Sequence, residues 1–254
     1  MYLGIETSSA ASSVALLNEQ GIYNELTVQA GLTHSEQLVP NIDLLLKQSN
    51  VTKADLKGVA VSIGPGSFTG LRIGMGTAKA LAYALRIPLV GVMTMDAMAR
   101  NFYNVQGVVS IMIDAQKKQV YEARYSWKEG QLVALSDPEV KPREAALEDL
   151  NALGVPVIVA GDGIVKIKDS IEETYQNITV APPTLILPRA SSIVLEALPK
   201  LEAGVDENDR LVPYYMRRSE AEVLWDQRHP SEAAAADVKE PTVIVTEVAS
   251  QIKN

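Results

Sequence analysis

Residues 64–76 read Gly-Pro-Gly-Ser-Phe-Thr-Gly-Leu-Arg-Ile-Gly-Met-Gly and contain five glycines and one proline. The run before them, residues 59–63, is short, apolar and rich in β-branched side chains, which is typical of a buried strand. The residues from Leu71 to Leu85 contain no proline and favour a helix. The sequence therefore predicts a strand, a glycine-rich turn and a helix, an order that brings backbone amides together at the start of the helix.

Two phosphate-binding motifs fail to match this turn. A P-loop needs lysine and then serine or threonine directly after its last glycine, whereas Leu71 and Arg72 follow Gly70. A dinucleotide fingerprint needs Gly-x-Gly-x-x-Gly, and the spacing from Gly66 to Gly70 is one residue too long. The turn is therefore not expected to bind a nucleotide in either of these ways.

Small residues recur every four positions along the predicted helix, at Gly70, Gly74, Ala78 and Ala82. Glycine inside a helix costs about 0.5–1 kcal/mol relative to alanine, so close approach of another backbone is expected to compensate. Two interpretations stay open: the ridge packs on the chain's own sheet, or it forms a helix–helix interface with another subunit. The second predicts that Gly74→Leu abolishes partner binding and leaves the fold largely intact.

The composition restricts the class of protein. The 254 residues suffice for one large domain or two small lobes. With 23 basic and 31 acidic residues, the chain lacks the basic surface that unaided nucleic-acid binding needs. It has no cysteine, no apolar run close to the roughly 18 residues of a membrane span, and no recognisable signal peptide. We expect a soluble, cytoplasmic protein that meets RNA only through a partner.

The histidine content argues against metal-dependent and triad-type catalysis. Only His34 and His229 are present, far apart in the chain, so a two-histidine zinc motif is absent. No Gly-x-Ser-x-Gly nucleophile motif accompanies them. The sequence therefore predicts no catalytic residue, no metal site and no cofactor.

One order of elements occurs twice along the chain. The first half predicts strands at 1–9, 12–18 and 21–29, a helix at 35–48, a strand at 58–63 and the glycine-rich helix. The second half predicts strands at 108–113, 119–127 and 131–139, a helix at 143–153, a strand at 155–160 and a helix after Gly163, before a last helix at 189–201. This duplicated βββαβα order predicts an α/β fold of two related lobes with a ligand cleft between them.

Two matching turns face this predicted cleft, Glu6-Thr7-Ser8-Ser9 and Asp114-Ala115-Gln116-Lys117-Lys118. Turns that hold triphosphate favour glycine, and magnesium favours a nearby aspartate. Neither turn contains glycine, so they are either ordinary polar turns or remnants of a nucleotide site. The candidate vestigial cleft comprises Glu6, Thr7, Asp114, Gly161, Asp162 and Gly163.

Four motifs resemble the TsaB (YeaZ) family. They are Gly4-Ile5-Glu6-Thr7-Ser8, the run from Gly64 to Gly74, Asp114-Ala115 ahead of Val120-Tyr121, and Val212-Pro213-Tyr214-Tyr215-Met216-Arg217. The resemblance covers residues 1–222 and implies an actin-like, Hsp70-like ASKHA fold. The interrupted periodicity at 101–106 and the departure from the family pattern after Glu222 divide the chain into an N-terminal lobe (1–105), a C-terminal lobe (106–222) and a C-terminal extension (223–254).

The resemblance also implies a function. Family members resemble non-catalytic scaffolds or activators in the threonylcarbamoylation of adenosine 37 of tRNA, the t6A modification. The implied partners are a TsaD-like paralogue that transfers the threonylcarbamoyl group, a TsaE-like ATPase, and a second copy of the chain when it is alone. An independent ATP-dependent ASKHA enzyme, a kinase or a peptidase, is the alternative, and intrinsic ATP hydrolysis would favour it.

The resemblance assigns the partner interface to two helices. In the helix at 35–48, apolar side chains recur at helical spacing, and Pro40 is expected to weaken the backbone hydrogen bonds. A lone imidazole at the start of this helix is expected to make a capping or interface contact. The predicted interface residues are His34, Leu38, Ile42, Leu45, Gly66, Phe68, Thr69, Gly70, Arg72, Gly74, Ala78 and Ala82.

The last part of the chain departs from the family pattern. A run of alanines at 233–236 is typical of a linker or a short helix. Residues 242–248 are apolar and β-branched, so they either form a strand that adds to a sheet edge or belong to a disordered tail. The sequence assigns no function to this extension.

Overall fold

A computed structural model describes residues 1–29 and 34–217, together with Trp225, Arg228 and His229. Met1–Met216 form one compact unit. The alanine run and the strand predicted at 242–248 lie outside the described residues, and the domain boundaries at 105 and 222 stay predictions. No helix in the described ranges combines the length and the apolar character that crossing a membrane requires.

The first sheet contains five strands, in the order β3-β2-β1-β4-β5. β1 is antiparallel to β2 and parallel to β4. Two helices, α1 and α2, cover one face of this sheet, and we call the sheet with these helices the first lobe. Its elements are β1 (Tyr2–Glu6), β2 (Ser12–Asn18), β3 (Gly21–Val28), α1 (His34–Gln48), β4 (Gly58–Gly64), α2 (Phe68–Leu85) and β5 (Leu89–Met93).

The second sheet follows the same order. Its strands run β11-β10-β6-β7-β8. Read from the other edge, β8, β7, β6, β10 and β11 take the places that β3, β2, β1, β4 and β5 have in the first sheet. An additional strand, β9, pairs with β7. We call this sheet with α4 and α5 the second lobe. Its elements are β6 (Val108–Asp114), β7 (Gln119–Lys128), β8 (Gln131–Ala134), β9 (Glu139–Pro142), α4 (Arg143–Asn151), β10 (Val157–Ala160), α5 (Lys168–Thr174) and β11 (Ile178–Val180). The predicted α/β fold with two sheets of duplicated strand order is confirmed.

Alternating residues of β1 pack against helices on opposite faces of the first sheet. Leu3 and Ile5 are fully buried in the cluster under α1 and α2. The opposite face carries two further helices, α3 (Thr94–Arg100) and α6 (Ala190–Glu202). A Cβ on Gly4 would lie 2.4 Å from the carbonyl oxygen of Ala190, so glycine is required where α6 crosses the strand.

The glycine-rich turn and the helix form as predicted, with α2 beginning at Phe68. The Ser67 hydroxyl caps the helix by accepting a hydrogen bond from the N–H of Gly70 at 3.2 Å. Beyond the last residue of α2, Arg86 adopts a left-handed conformation with φ of 55°, which ends the helix. Despite Pro40, α1 continues without a break to Gln48.

Two predicted elements are wrong in detail. The strand expected at 131–139 is split, because β8 pairs with the end of β7 and β9 pairs with its beginning. Pro138 lies in the break, where it has no N–H to donate to a ladder. After Gly163 the chain first forms a 3₁₀ turn, Asp162–Ile167, and only then α5.

A segment near the end of the compact unit forms hydrogen bonds with β5 and with the end of β4. The N–H of Glu207 donates to the carbonyl of Leu89 at 2.8 Å, and the N–H of Tyr214 donates to the carbonyl of Ile63 at 2.7 Å. Between them, Leu211 is buried in the first-lobe core. This segment carries Tyr215 to the beginning of α2.

Candidate functional site

The turn between β1 and β2 is in direct contact with the glycine-rich turn of the same lobe. The N–H of Ser67 donates to the carbonyl of Ser8 at 2.6 Å. A Cβ on Gly66 would lie 2.4 Å from that carbonyl oxygen, and a Cβ on Gly70 would lie 2.0 Å from the carbonyl oxygen of Thr7. These glycines therefore allow two turns to pack against each other, and the space beside the first turn is filled by the chain itself.

The ridge of small residues on α2 also faces inward, toward the first sheet. A Cβ on Gly74 would lie 2.2 Å from Oγ1 of Thr7, and that hydroxyl donates to the carbonyl of Gly70 at 2.8 Å. Ala78 and Ala82 are fully buried in the first-lobe core. Of the two interpretations, packing on the chain's own sheet is the one the structure adopts. The expectation that Gly74→Leu leaves the fold intact is therefore corrected, because a leucine has no space there.

The predicted interface residues of α1 also point inward. Leu38, Ile42 and Leu45 are buried in the first-lobe core. His34 lies at the first position of α1, where its Nε2 is 2.8 Å from the carbonyl oxygen of Ser9. These four side chains hold α1 on the lobe, and its outward surface is formed by other residues, including Val39, which is 60% exposed.

The outward face of α2 carries the remaining predicted interface residues. Thr69 and Arg72 are exposed, and Phe68 is half-buried beside them. Further along the same face, a Cβ on Gly76 would meet nothing within 4 Å, and Tyr83 is 80% exposed. We define the outer helix face by seven of the exposed residues on α1 and α2: Val39, Leu44, Thr69, Arg72, Gly76, Ala80 and Tyr83.

Glu6 is fully buried at the end of β1. Its Oε1 accepts a hydrogen bond from the N–H of Ser8 at 2.5 Å, while Oε2 has no hydrogen-bond partner among the described residues. Burial raises the pKa of Glu6 above its ordinary value. Burial thus disfavours the charged form of this carboxyl, which is the form that would bind magnesium.

The equivalent turn of the second lobe is built differently. The N–H of Asp114 donates to Oδ1 of Asp162 at 2.8 Å, which joins two of the predicted cleft residues. A Cβ on Gly161 or Gly163 would lie 2.3 Å or 2.8 Å from the carbonyl oxygen of Met112. The structure thus brings Asp114 and residues 161–163 together, and close packing on β6 accounts for both glycines.

A very small cavity lies beside the first turn. Ser8 and Ser9 from the first turn line it together with Thr94, Ile113 and Asp162. Its volume is about 10 Å³, which is enough for one water molecule. This cavity is therefore too small for a nucleotide. The described part of the chain also contains no group of three or more histidine, aspartate or glutamate side chains that could hold a metal.

Two side-chain clusters were not foreseen in the sequence. The phenol of Tyr125 donates to Asp96 at 2.8 Å, and burial raises the pKa of Asp96 to about 6. At the start of α2, the rings of Phe68 and Tyr215 stack with centroids 4.0 Å apart. Both clusters join residues that are distant in sequence, so no local pattern could have revealed them.

Comparison with known proteins identifies the family. A family model described as "TsaD: tRNA N6-adenosine threonylcarbamoyltransferase" matches residues 19–225. The tRNA threonylcarbamoyladenosine biosynthesis protein TsaB of Bacillus subtilis (strain 168) is 32% identical over 224 residues, which cover 88% of this chain and 96% of that protein. The protein of the same name from Escherichia coli (strain K12) is 34% identical over 146 residues, 54% of this chain and 63% of that one. Among solved structures, YeaZ from Pseudomonas aeruginosa matches with a TM-score of 0.70 and 28% identity, over 85% of this chain and 99% of that chain. The chain belongs to the TsaB (YeaZ) family.

Proposed function

We propose that the protein is a non-catalytic subunit of the machinery that makes threonylcarbamoyladenosine in tRNA, and that it supports a TsaD-like transferase. The role in this pathway is supported by relatives named for it. The non-catalytic character is supported by the first-lobe turn, where Gly66 and Gly70 of the chain itself fill the space beside Thr7 and Ser8. An enzyme that acts on ATP would need such a turn to be open to phosphate.

The outer helix face is the surface proposed for the transferase. Apolar side chains such as Val39 and Tyr83 are exposed on it, next to a glycine that has open space around it. Small residues on an exposed helix let another helix approach closely, and exposed aromatic side chains are common anchors at interfaces. The buried residues predicted for the interface, Gly74 among them, would then act indirectly by holding α1 and α2 in place.

The other partners follow from this assignment. A TsaE-like ATPase would join through the complex, and the isolated protein would use the same helix face to form a homodimer. The chain carries a formal net charge of −8, so tRNA would be bound by the partner subunits. We place the complex in the cytoplasm. The alternative of an independent ATP-dependent enzyme finds no open phosphate turn in the first lobe to support it.

A binding measurement tests this proposal. The full chain and the TsaD-like transferase of the same organism are titrated against each other, and Gly76→Leu is compared with Ala145→Leu, an equivalent enlargement on the exposed side of α4. We expect Gly76→Leu to weaken binding strongly and Ala145→Leu to leave it unchanged. Equal loss for both variants, or no binding by the unaltered protein, would contradict the proposal.

A further inference from the structure

Three side chains form an ordered cluster at the beginning of α2. The Nε–H of Arg72 donates to the Tyr215 hydroxyl at 2.9 Å, and its guanidinium carbon lies 4.2 Å from the centre of the Phe68 ring. The rings of Phe68 and Tyr215 are nearly parallel, with an angle of 19° between their planes. Arg72 and Tyr215 are exposed, so this cluster is part of the protein surface.

Arg72 is fixed in position but has no anionic partner. Its hydrogen bond and its stacking on an aromatic ring both restrict the side chain. No carboxylate pairs with it anywhere in the described residues, whereas Arg100, Arg124, Arg143 and Arg189 all form ion pairs with glutamate. Because Nε is occupied by Tyr215, the two terminal nitrogens remain to donate to a ligand.

The surrounding sequence has a positive charge that contrasts with the whole chain. Between Asp55 and Asp96 there is no aspartate or glutamate, and this stretch contains Lys57, Arg72, Lys79 and Arg86. The chain as a whole has a formal net charge of −8. The exposed side of α2 therefore offers local attraction for an acidic protein surface, whereas α1 beside it exposes Glu36 and Asp43. The overall charge opposes binding of a polyanionic nucleic acid.

We propose that Arg72 receives the carboxylate of an aspartate or glutamate on the TsaD-like transferase, with Phe68 and Tyr215 as positioning residues. This inference rests on the proposed function, because it names the chemistry by which the outer helix face recognises that partner. The terminal nitrogens of arginine can donate two parallel hydrogen bonds to one carboxylate, which fixes orientation as well as attraction. Since the side chain is already ordered, little conformational freedom is lost on binding.

The experiment measures the affinity of the full chain for the transferase. Arg72→Ala should weaken binding by about 10- to 100-fold, as truncation of a central arginine anchor does. Arg72→Lys should restore it only in part, because an ammonium group cannot present two parallel N–H groups. Tyr215→Phe keeps the ring stack and removes the hydroxyl, so we expect a smaller loss of about threefold.

Arg86→Ala is the matched control, because Arg86 is an exposed arginine at the other end of the same helix. We expect this variant to bind within about twofold of the unaltered protein. High salt should weaken binding of the unaltered protein more than that of Arg72→Ala, since salt screens the charged pair. Thermal unfolding of each variant checks that the fold is retained, and Arg72→Lys keeps the test valid if Arg72→Ala unfolds.

Charge reversal identifies the partner residue. Arg72→Glu is tested against variants of the transferase in which single acidic surface residues are replaced by lysine, and one replacement should recover binding. Equal affinity of Arg72→Ala and the unaltered protein would overturn the inference alone, while absence of binding by the unaltered protein would overturn the proposed function. A loss seen only with tRNA, and not with the transferase, would assign Arg72 to RNA and also overturn the inference.

Discussion

The two lobes share one order of strands but differ at the turn that follows their first strand. In the first lobe this turn is buried against the glycine-rich turn, and Glu6 lies fully enclosed. In the second lobe the turn is exposed, with Lys117 and Lys118 on the surface in left-handed conformations. The same topology therefore permits either a closed or an open turn, and the residues beside the turn determine which one forms.

The helices of the two lobes differ in a related way. In the first lobe, α1 and α2 contain 15 and 18 residues, whereas α4 and α5 in the second contain 9 and 7. The longer pair buries one face on its sheet and leaves an extended face outside. In the first lobe the turn is used for internal packing, and the extended outside face of α1 and α2 is the surface to which we assign the proposed partner contact.

The largest effect is expected from the pair Gly74→Leu and Gly76→Leu. Gly74 contacts Thr7, so we expect Gly74→Leu to lower the free energy of unfolding by about 3 kcal/mol or more. Gly76 is surrounded by open space, so a leucine fits there. Gly76→Leu should raise the free energy of unfolding by about 0.5–1 kcal/mol, because leucine has a higher helix propensity than glycine. Urea unfolding measures both values. Similar destabilisation by the two variants would show that the inner and outer faces of α2 are assigned wrongly.

A second pair compares the lobes directly. A Cβ on Gly70 would lie 2.0 Å from a backbone oxygen, and a Cβ on Gly163 would lie 2.8 Å from another. We expect Gly70→Ala to cost about 3 kcal/mol and Gly163→Ala about 1–2 kcal/mol, because the tighter contact requires a larger backbone shift. Thermal unfolding ranks the variants. If Gly163→Ala were the more damaging, the closed turn of the first lobe would not be the tighter of the two.

A smaller effect is expected where the lobes meet. Asp96 in α3 accepts a hydrogen bond from Tyr125 in β7, and its pKa is raised from 3.8 to about 6 by burial. Because the folded state binds the proton more tightly, this group stabilises the fold fully below pH 4, and that stabilisation is lost as the pH rises through 6. We expect Asp96→Asn to remove about 1–3 kcal/mol of this pH dependence, because asparagine does not titrate. Its side-chain oxygen can still accept the hydrogen bond from Tyr125.

The measurement for Asp96 is the difference in unfolding free energy between the variant and the unaltered protein, followed from pH 4 to pH 8. Asp209→Asn, at an exposed position outside the contact, serves as the control. A parallel shift of the whole curve, with no change in its slope, would mean that Asp96 is not the titrating group.

Sequence reasoning could predict what depends on local pattern. The β-branched run ending at Ile63 and the glycines after it were sufficient to predict the strand, the turn and α2. The repeated order of elements was sufficient to predict the duplicated fold. The spacing of Gly70 and Gly74 placed both on one helix face. It could not show which backbone approaches that face, because spacing describes the helix and not its neighbour.

Contacts between residues distant in sequence could not be predicted for the same reason. The pairing of Arg72 with Tyr215 joins positions 143 residues apart, and the Asp96 contact joins α3 to a strand of the other sheet. Neither pair has a periodic signal. The break between β8 and β9 was also missed, because alternating apolar residues on both sides of Pro138 resemble one continuous strand.

The most direct test of the central claim is formation of threonylcarbamoyladenosine on tRNA. A mixture of the threonylcarbamoyl-adenylate synthase, the TsaD-like transferase and the TsaE-like ATPase is assayed with and without this chain, and with Gly76→Leu in its place. The account predicts product only when the unaltered chain is present and a strong reduction with Gly76→Leu. Equal product without the chain would contradict the claim that it is a required subunit acting through its outer helix face.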